Sequence, residues 1–385
     1  MVRKVARRGE VPPFFVMEVM RAAAERLASG ADVLHMEVGQ PASPAPEGAR
    51  QAAHAALESD RLGYTVALGI APLREAIAHH YRDRYGLELD PARVVVTTGS
   101  SAGFVLSFLA CFEPGDRVAL AEPGYPCYRN ILGALGIEAV GLPVGHEDRY
   151  QPGIAMLEAL DRPIDGLILA SPSNPTGTMV SPGEVAALAG HCRERGIRLI
   201  SDEIYHGITY GRPEATAIAF DDDAVVINSF SKYFSMTGWR IGWMVVPESL
   251  LRPVERLAQN LYISTPTLSQ HAALAAFGCR AELDRHVATY AANRDLLLRE
   301  LPRAGFDRLS QPDGGFYFYA DVAHMTDDSD ALCRSILART GVAITPGIDF
   351  DPVRGHRAVR FSYAGATADM AEAARRLVAW RDGGR

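Results

Sequence analysis

The sequence predicts an α/β fold: a large domain with a mostly parallel sheet flanked by helices, plus a smaller α+β domain built from the C-terminal third and the N-terminal segment. Three observations carry that expectation. Short apolar runs alternate with helical patterns through the middle of the chain. Those runs are apolar at nearly every position, as strands buried on both faces require. Beyond residue 280 the pattern changes to long helices separated by short strands. The expected divisions are an N-terminal segment with an active-site loop over 1–45, a large domain over 46–280 and a small domain over 281–385.

The elements follow in order. Gly39–Glu47 (GQPASPAPE) is too proline-rich for regular structure and reads as a linker or a loop at a site. Six buried strands come next: Arg93–Thr97, Arg117–Ala121, Gly166–Ala170, Arg198–Ser201, Ala224–Asn228 and Ile241–Val246. Each is short, rich in Val, Ile and Leu, and bounded by turn residues. The clearest helix between them is Ser181–Arg195. Ser181 suits the N-cap, Pro182 the first turn and Glu184 a capping box, and Gly196 stops it. In the last third, helical patterns lie near 281–301, 329–340 and 367–381. Short strands lie near Phe316–Ala320, Val342–Thr345 and Ala358–Ser362.

Composition narrows the function. Hydrophobic residues are 48% and charged residues 22%, ordinary for a globular enzyme that buries a large core. A net charge of −7 without a basic block argues against nucleic-acid binding. Cys111, Cys127, Cys192, Cys279 and Cys333 form no CxxC pair, so no metal site and no disulfide framework is expected. The basic N-terminus lacks an apolar signal core, and FVLSFLACF (104–112) is too short for a membrane span. A cytoplasmic enzyme is expected.

Ligands of open α/β sheets bind beyond the carboxyl ends of the strands, so the residues that follow each strand matter most. They are Gly99-Ser100-Ser101, Glu122-Pro123-Gly124-Tyr125, Ser171–Gly177 (SPSNPTG), Asp202-Glu203-Ile204-Tyr205 and Ser229-Phe230-Ser231-Lys232. Lys232 is one of only two lysines in the chain, the other being Lys4. A lysine that forms a Schiff base must lose its proton, which a dry or cationic site favours; the plainer reading is a surface lysine. Asp202 suits the ring nitrogen of a bound pyridine, whose protonation makes the ring an electron sink, or a simple helix N-cap. Tyr205 suits a ring hydroxyl, or core packing. Gly99–Ser101 opens a helix whose free N–H groups suit a phosphate, with Ser229 and Arg240 adding contacts. Asn174 suits a ring oxygen or an Asn-Pro turn. Arg360 suits a substrate carboxylate, bound bidentately, or a structural ion pair.

SPSNPTG, then DEIY, then SFSKYFSMTGWRIGW resemble the class I/II aminotransferases, the aspartate aminotransferase-like proteins of PLP fold type I, in order and spacing along nearly the whole chain. The resemblance implies pyridoxal 5′-phosphate (PLP) held as an imine on Lys232, which also serves as acid and base for the proton shift. It implies Asp202 at the pyridinium, Tyr205 and Asn174 at the ring 3′-oxygen, and Tyr125 stacked on the ring. It places Ser100, Ser101, Ser229 and Arg240 on the phosphate, with Tyr64 reaching the phosphate of the other subunit of a homodimer. Arg360 would clamp the α-carboxylate, with Gly39 closing over it. The implied reaction moves an amino group from an L-amino acid to a 2-oxo acid by a ping-pong mechanism.

Rival readings remain at this level. The same residues serve a PLP-dependent lyase, cyclase or decarboxylase. Gly99–Gly103 also matches the G-x-S-x-G elbow of serine hydrolases, with Ser101 as nucleophile and His271, His286, His324 or His356 as a base. No G-x-G-x-x-G supports a dinucleotide enzyme. Family members that prefer aspartate carry an extra arginine where this chain has Leu261–Cys279, which has none, so a neutral, apolar or aromatic donor is expected. Val11–Met20, with Phe14 and Phe15, suits the entry to such a site or the packing of an amphipathic helix.

Overall fold

The computed structural model describes residues 4–383. A short strand, β1 (Leu34–His35), precedes a seven-stranded sheet made of β2 (Val94–Thr97), β3 (Arg117–Glu122), β4 (Glu138–Pro143), β5 (Gly166–Ala170), β6 (Arg198–Asp202), β7 (Val225–Ser229) and β8 (Gly242–Val245). The order across the sheet is β2-β8-β7-β6-β5-β3-β4. Every strand is parallel except β8, which runs antiparallel to both neighbours. All six expected strands form, with ends shifted by a residue at most. They are apolar throughout because the sheet has a core on each face. Val94, Val96, Leu167, Leu169 and Leu199 pack into one, whereas Val95, Ile168, Ile200 and Val225 pack into the other.

The helix Pro182–Arg195 carries the expected capping box. Glu184 N–H donates to Ser181 Oγ (3.3 Å) and Ser181 N–H to the Glu184 carboxylate (2.7 Å), and Gly196 ends the helix with φ +69°.

In the C-terminal third, β9 (Arg308–Leu309), β10 (Tyr317–Asp321), β11 (Val342–Ala343), β12 (Thr345–Pro346) and β13 (Ala358–Ser362) alternate with helices Arg280–Glu300, Ser329–Thr340 and Thr367–Asp382. An antiparallel sheet runs β12-β13-β10-β9. The expected single strand over Val342–Thr345 is two strands. β11 pairs in parallel with β1, and after Ile344 the chain changes partner, so that β12 pairs with β13. The helix Phe15–Ala28 packs on β11 and β12, with Ala23 against Leu337 and Ala343. The N-terminal segment is thereby joined to the C-terminal third. Among the described residues no helix is long and apolar enough to cross a membrane.

Candidate active site

A cavity of about 640 Å³ opens at the carboxyl ends of the parallel strands. Topology explains its lining. Asp202 is the last residue of β6, Lys232 lies three residues beyond β7, and Asn174 four beyond β5. Tyr125 follows β3, and Gly99–Ser101 opens the helix after β2. β8 runs the other way, so its amino end lies at this same edge; Gly242 faces Thr97 and Ser229, and Arg240 stands two residues before it. Lys232, Asp202, Tyr205, Asn174, Tyr125, Ser100, Ser101, Arg240, Arg360 and Gly39 all line the cavity. Two expected residues do not. Ser229 stands behind Ser231, its hydroxyl 2.9 Å from Ser231 Oγ and 3.2 Å from Ile241 O. Tyr64 is 84% exposed and belongs to a separate surface hollow with Asp60 and His271.

Lys232 Nζ donates to Gly39 O at 2.6 Å, and 5.8 Å separates it from the Tyr205 ring centroid. The Gly39 backbone needs to come this close. A Cβ there would lie 2.1 Å from Tyr317 Oη. Burial pushes the Lys232 ammonium down to about 8; the Arg360 and Arg240 charges add to the effect and Asp202 opposes it. Below that pH the amine is charged and unreactive, and above it the amine is free. In cofactor-free protein, trapping of an aldehyde on Lys232 therefore accelerates about tenfold per pH unit below 8 and levels off above it. Reductive labelling from pH 6 to 10, read by mass at this residue, checks it; a rise continuing through pH 10 contradicts it.

Asp202 is 4% exposed. Ile204 N–H donates to one carboxylate oxygen at 3.1 Å and the Tyr128 hydroxyl donates to the other. Burial raises Asp202 to about 6, the two donors holding it lower than burial alone would. A cation beside it would favour its ionised form further.

Arg360 is 1% exposed. Its guanidinium donates to Asn174 Oδ1 (2.9 Å) and to Glu37 O, and lies between the Tyr317 and Phe350 rings with centroids at 4.6 and 4.7 Å. Among the described residues no carboxylate pairs with it, and its Nε has no partner. A structural ion pair is thus excluded here. Asp349 acts on the guanidinium only at longer range, so a ligand carboxylate in direct contact would lower the cost of burying it.

Tyr128 and Tyr317 were not expected at the site. Tyr317 Oη lies 2.7 Å from Tyr205 Oη. Tyr128 was findable, since it stands one helical turn after Tyr125 on a helix that begins at Pro126. The serine-hydrolase reading fails. Ser101 lines the cavity, but no histidine does. His271 pairs instead with Asp60 at 3.1 Å, His286 lies 3.5 Å from Ser235, and His324 bonds Gly305 O.

A buried acid, a buried lysine, a helix start beside an arginine and a second arginine without an ion-pair partner meet at one sheet edge, an arrangement that suits a PLP-dependent enzyme acting on amino acids. The chain belongs to the class I and II aminotransferases, whose family model matches residues 31–377. It is 54% identical over 384 residues to the valine–pyruvate aminotransferase of Mycobacterium tuberculosis, covering 99% of both chains. A crystal structure of an aminotransferase from Mycobacterium tuberculosis superposes with a TM-score of 0.97 at 53% identity, over 99% of this chain and all of that one. The aspartate aminotransferase of Thermus thermophilus with maleate gives 0.92 at 29% identity, over 98% of this chain and all of that one. The protein is an aminotransferase, and this family uses PLP.

The residues fit that cofactor. Gly99, at φ +72°, leaves an open cradle against Arg240, and a Cβ there would stand 2.5 Å from the guanidinium. Arg240 and the helix start at Gly99–Ser101 make a corner that would suit the cofactor's phosphate. Asp202 supplies a buried anion elsewhere in the same cavity.

Proposed function

We propose that the chain moves the amino group of a neutral, branched aliphatic L-amino acid, valine being the type, to pyruvate, and does so as a homodimer. One observation carries the donor reading. The cavity wall formed by Phe14, Val16, Met17, Met20 and Ile131 is apolar, and among the described residues of one protomer the cavity's cations are Lys232, Arg240 and Arg360. Each has a task in binding cofactor or α-carboxylate, so none remains for a second carboxylate. The 54% identity to a valine–pyruvate aminotransferase supports the same donor and acceptor.

Each residue has a distinct role in this reading. Ser100, Ser101 and Arg240 hold the phosphate, with Ser229 behind the cavity wall on Ser231 Oγ, and Tyr125 packs against the ring. Asp202 places its charge at the ring nitrogen, with Tyr128 fixing the carboxylate. Tyr205 and Asn174 bind the ring oxygen. Bound there, the cofactor withdraws electrons from the substrate's Cα–H bond. Arg360 and Asn174 hold the substrate α-carboxylate, with Gly39 beside it. The Lys232 amine, free above its lowered pKa, would take the proton from the substrate Cα and return it during the amino transfer.

Exposed apolar residues support the dimer. Leu57 (59%), Tyr64 and Val66 (66%) are exposed, as are Leu261, Tyr262 and Ile263 (51%), and the segments that carry the two groups are tied by Thr267 Oγ1 to Gly63 O at 2.6 Å and Thr65 N–H to Ser264 Oγ at 3.4 Å. Exposed apolar side chains on neighbouring segments are what an interface covers, and Tyr64 is among them.

A panel of amino donors against pyruvate and 2-oxoglutarate tests the reading. Valine with pyruvate is expected to exceed aspartate with either acceptor by at least about 100-fold in kcat/KM, the scale of a buried, unpaired carboxylate. Comparable rates with aspartate would refute it.

A further inference from the structure

The helix Phe15–Ala28 supplies much of the apolar wall, yet its first turn has no cap of its own. Phe14 occupies the N-cap position and has no side-chain acceptor to offer. The orphan donors are satisfied from more than 330 residues away. Phe15 N–H donates to Asp349 Oδ1 at 3.2 Å and Val16 N–H to Oδ2 at 3.1 Å. Asp349 is 2% exposed, the bond from Val16 is buried and that from Phe15 partly so, and the carboxylate's charge faces the positive end of the helix dipole.

The far end of the helix is held separately, through Arg26 to Ala338 O (3.0 Å) and Asp32 O (3.0 Å). The turn that carries Asp349 is itself fixed to the site. Arg129 donates to Asp349 O at 2.7 Å, Gly124 N–H donates to Phe350 O at 3.0 Å, and the Phe350 ring lies against the Arg360 guanidinium. One turn thus sets both the substrate-carboxylate clamp and the side-chain wall.

We propose that Asp349 is a positioning residue for donor selection: its carboxylate fastens the start of the Phe15–Ala28 helix so that Phe14, Val16, Met17 and Met20 stand at a fixed distance from Arg360, which favours branched over short donors. This rests on the apolar-donor reading above. Asp349 touches neither reacting atoms nor cofactor and reaches Arg360 only at a distance, so its main effect belongs in KM for large donors and not in the proton transfer.

The test uses cofactor-loaded Asp349→Ala and Asp349→Asn with two readouts. Hydrogen exchange over residues 14–20 is expected to rise about tenfold in Asp349→Ala, with Asp349→Asn intermediate because one acceptor oxygen remains. KM for valine is expected to rise about tenfold while KM for alanine and kcat for both stay within about threefold. Unchanged exchange overturns the proposal. So does an equal rise in KM for valine and alanine, which a merely structural role would give. If the wild-type enzyme shows no preference for apolar donors, the donor reading fails by itself, and the exchange measurement still decides whether Asp349 holds the helix. Should Asp349→Ala not fold, Asp349→Asn carries both readouts.

Discussion

Lys232→Ala is expected to lose transamination by at least about 10⁴-fold, the upper range for removing a positioned acid–base group. No other side chain can replace it. The chain has one other lysine, Lys4, at the far N-terminus, and no histidine lines the cavity. Lys232 Nζ is held by Gly39 O at 2.6 Å with Tyr205 beside it, and burial has already lowered its ammonium to about 8. The substitution removes one hydrogen bond and leaves the two cores untouched, so the variant is expected to fold, which circular dichroism checks. Steady-state rates with valine and pyruvate within about 100-fold of wild type would contradict the assignment.

Asp202→Asn is expected to cost about 10³-fold in kcat while leaving the fold intact. The amide oxygen still accepts from Ile204 N–H, so the local turn survives. What goes is the negative charge at the end of β6. In the proposed role of Asp202, a neutral amide would not keep a proton on the cofactor's ring nitrogen, and without that proton the ring would be a poorer electron sink. The Tyr128 hydroxyl, which donates to the carboxylate, must then meet an amide NH₂ or turn away. Stopped-flow measurement of the half-reaction with valine separates this chemical step from binding. A kcat within tenfold of wild type would show that Asp202 is a structural cap.

Much of this site was legible because parallel topology gathers strand ends. Asp202, Asn174, Tyr125, Gly99 and Lys232 each follow an uninterrupted apolar run, and reading what comes after those runs was enough to group them. Arg240 reaches the same edge because β8 runs antiparallel to its neighbours, a reversal that nothing local in the sequence shows. The edge strand Glu138–Pro143 has no such signature. It is half exposed and contains Glu138 and Gly141, because it meets a neighbour on one side only. The division of Val342–Pro346 between two sheets is likewise set by partners at β1 and β13, which local sequence does not reveal. Tyr317 sits in a run of aromatic residues, Phe316–Tyr319, where alternation gives no sign of which one faces the cavity. Asp349 is the extreme case. Its importance comes from two amides more than 330 residues away in the chain.

The central claim is that Lys232 is the residue joined to the cofactor. Borohydride reduction of the purified, cofactor-loaded enzyme, followed by proteolysis and mass mapping, tests it most directly. A single phosphopyridoxyl adduct on Lys232 is expected, with its formation blocked by prior incubation with valine in the absence of an oxo acid. An adduct confined to Lys4 or the terminal amine, or no adduct while the enzyme remains active, would contradict the account.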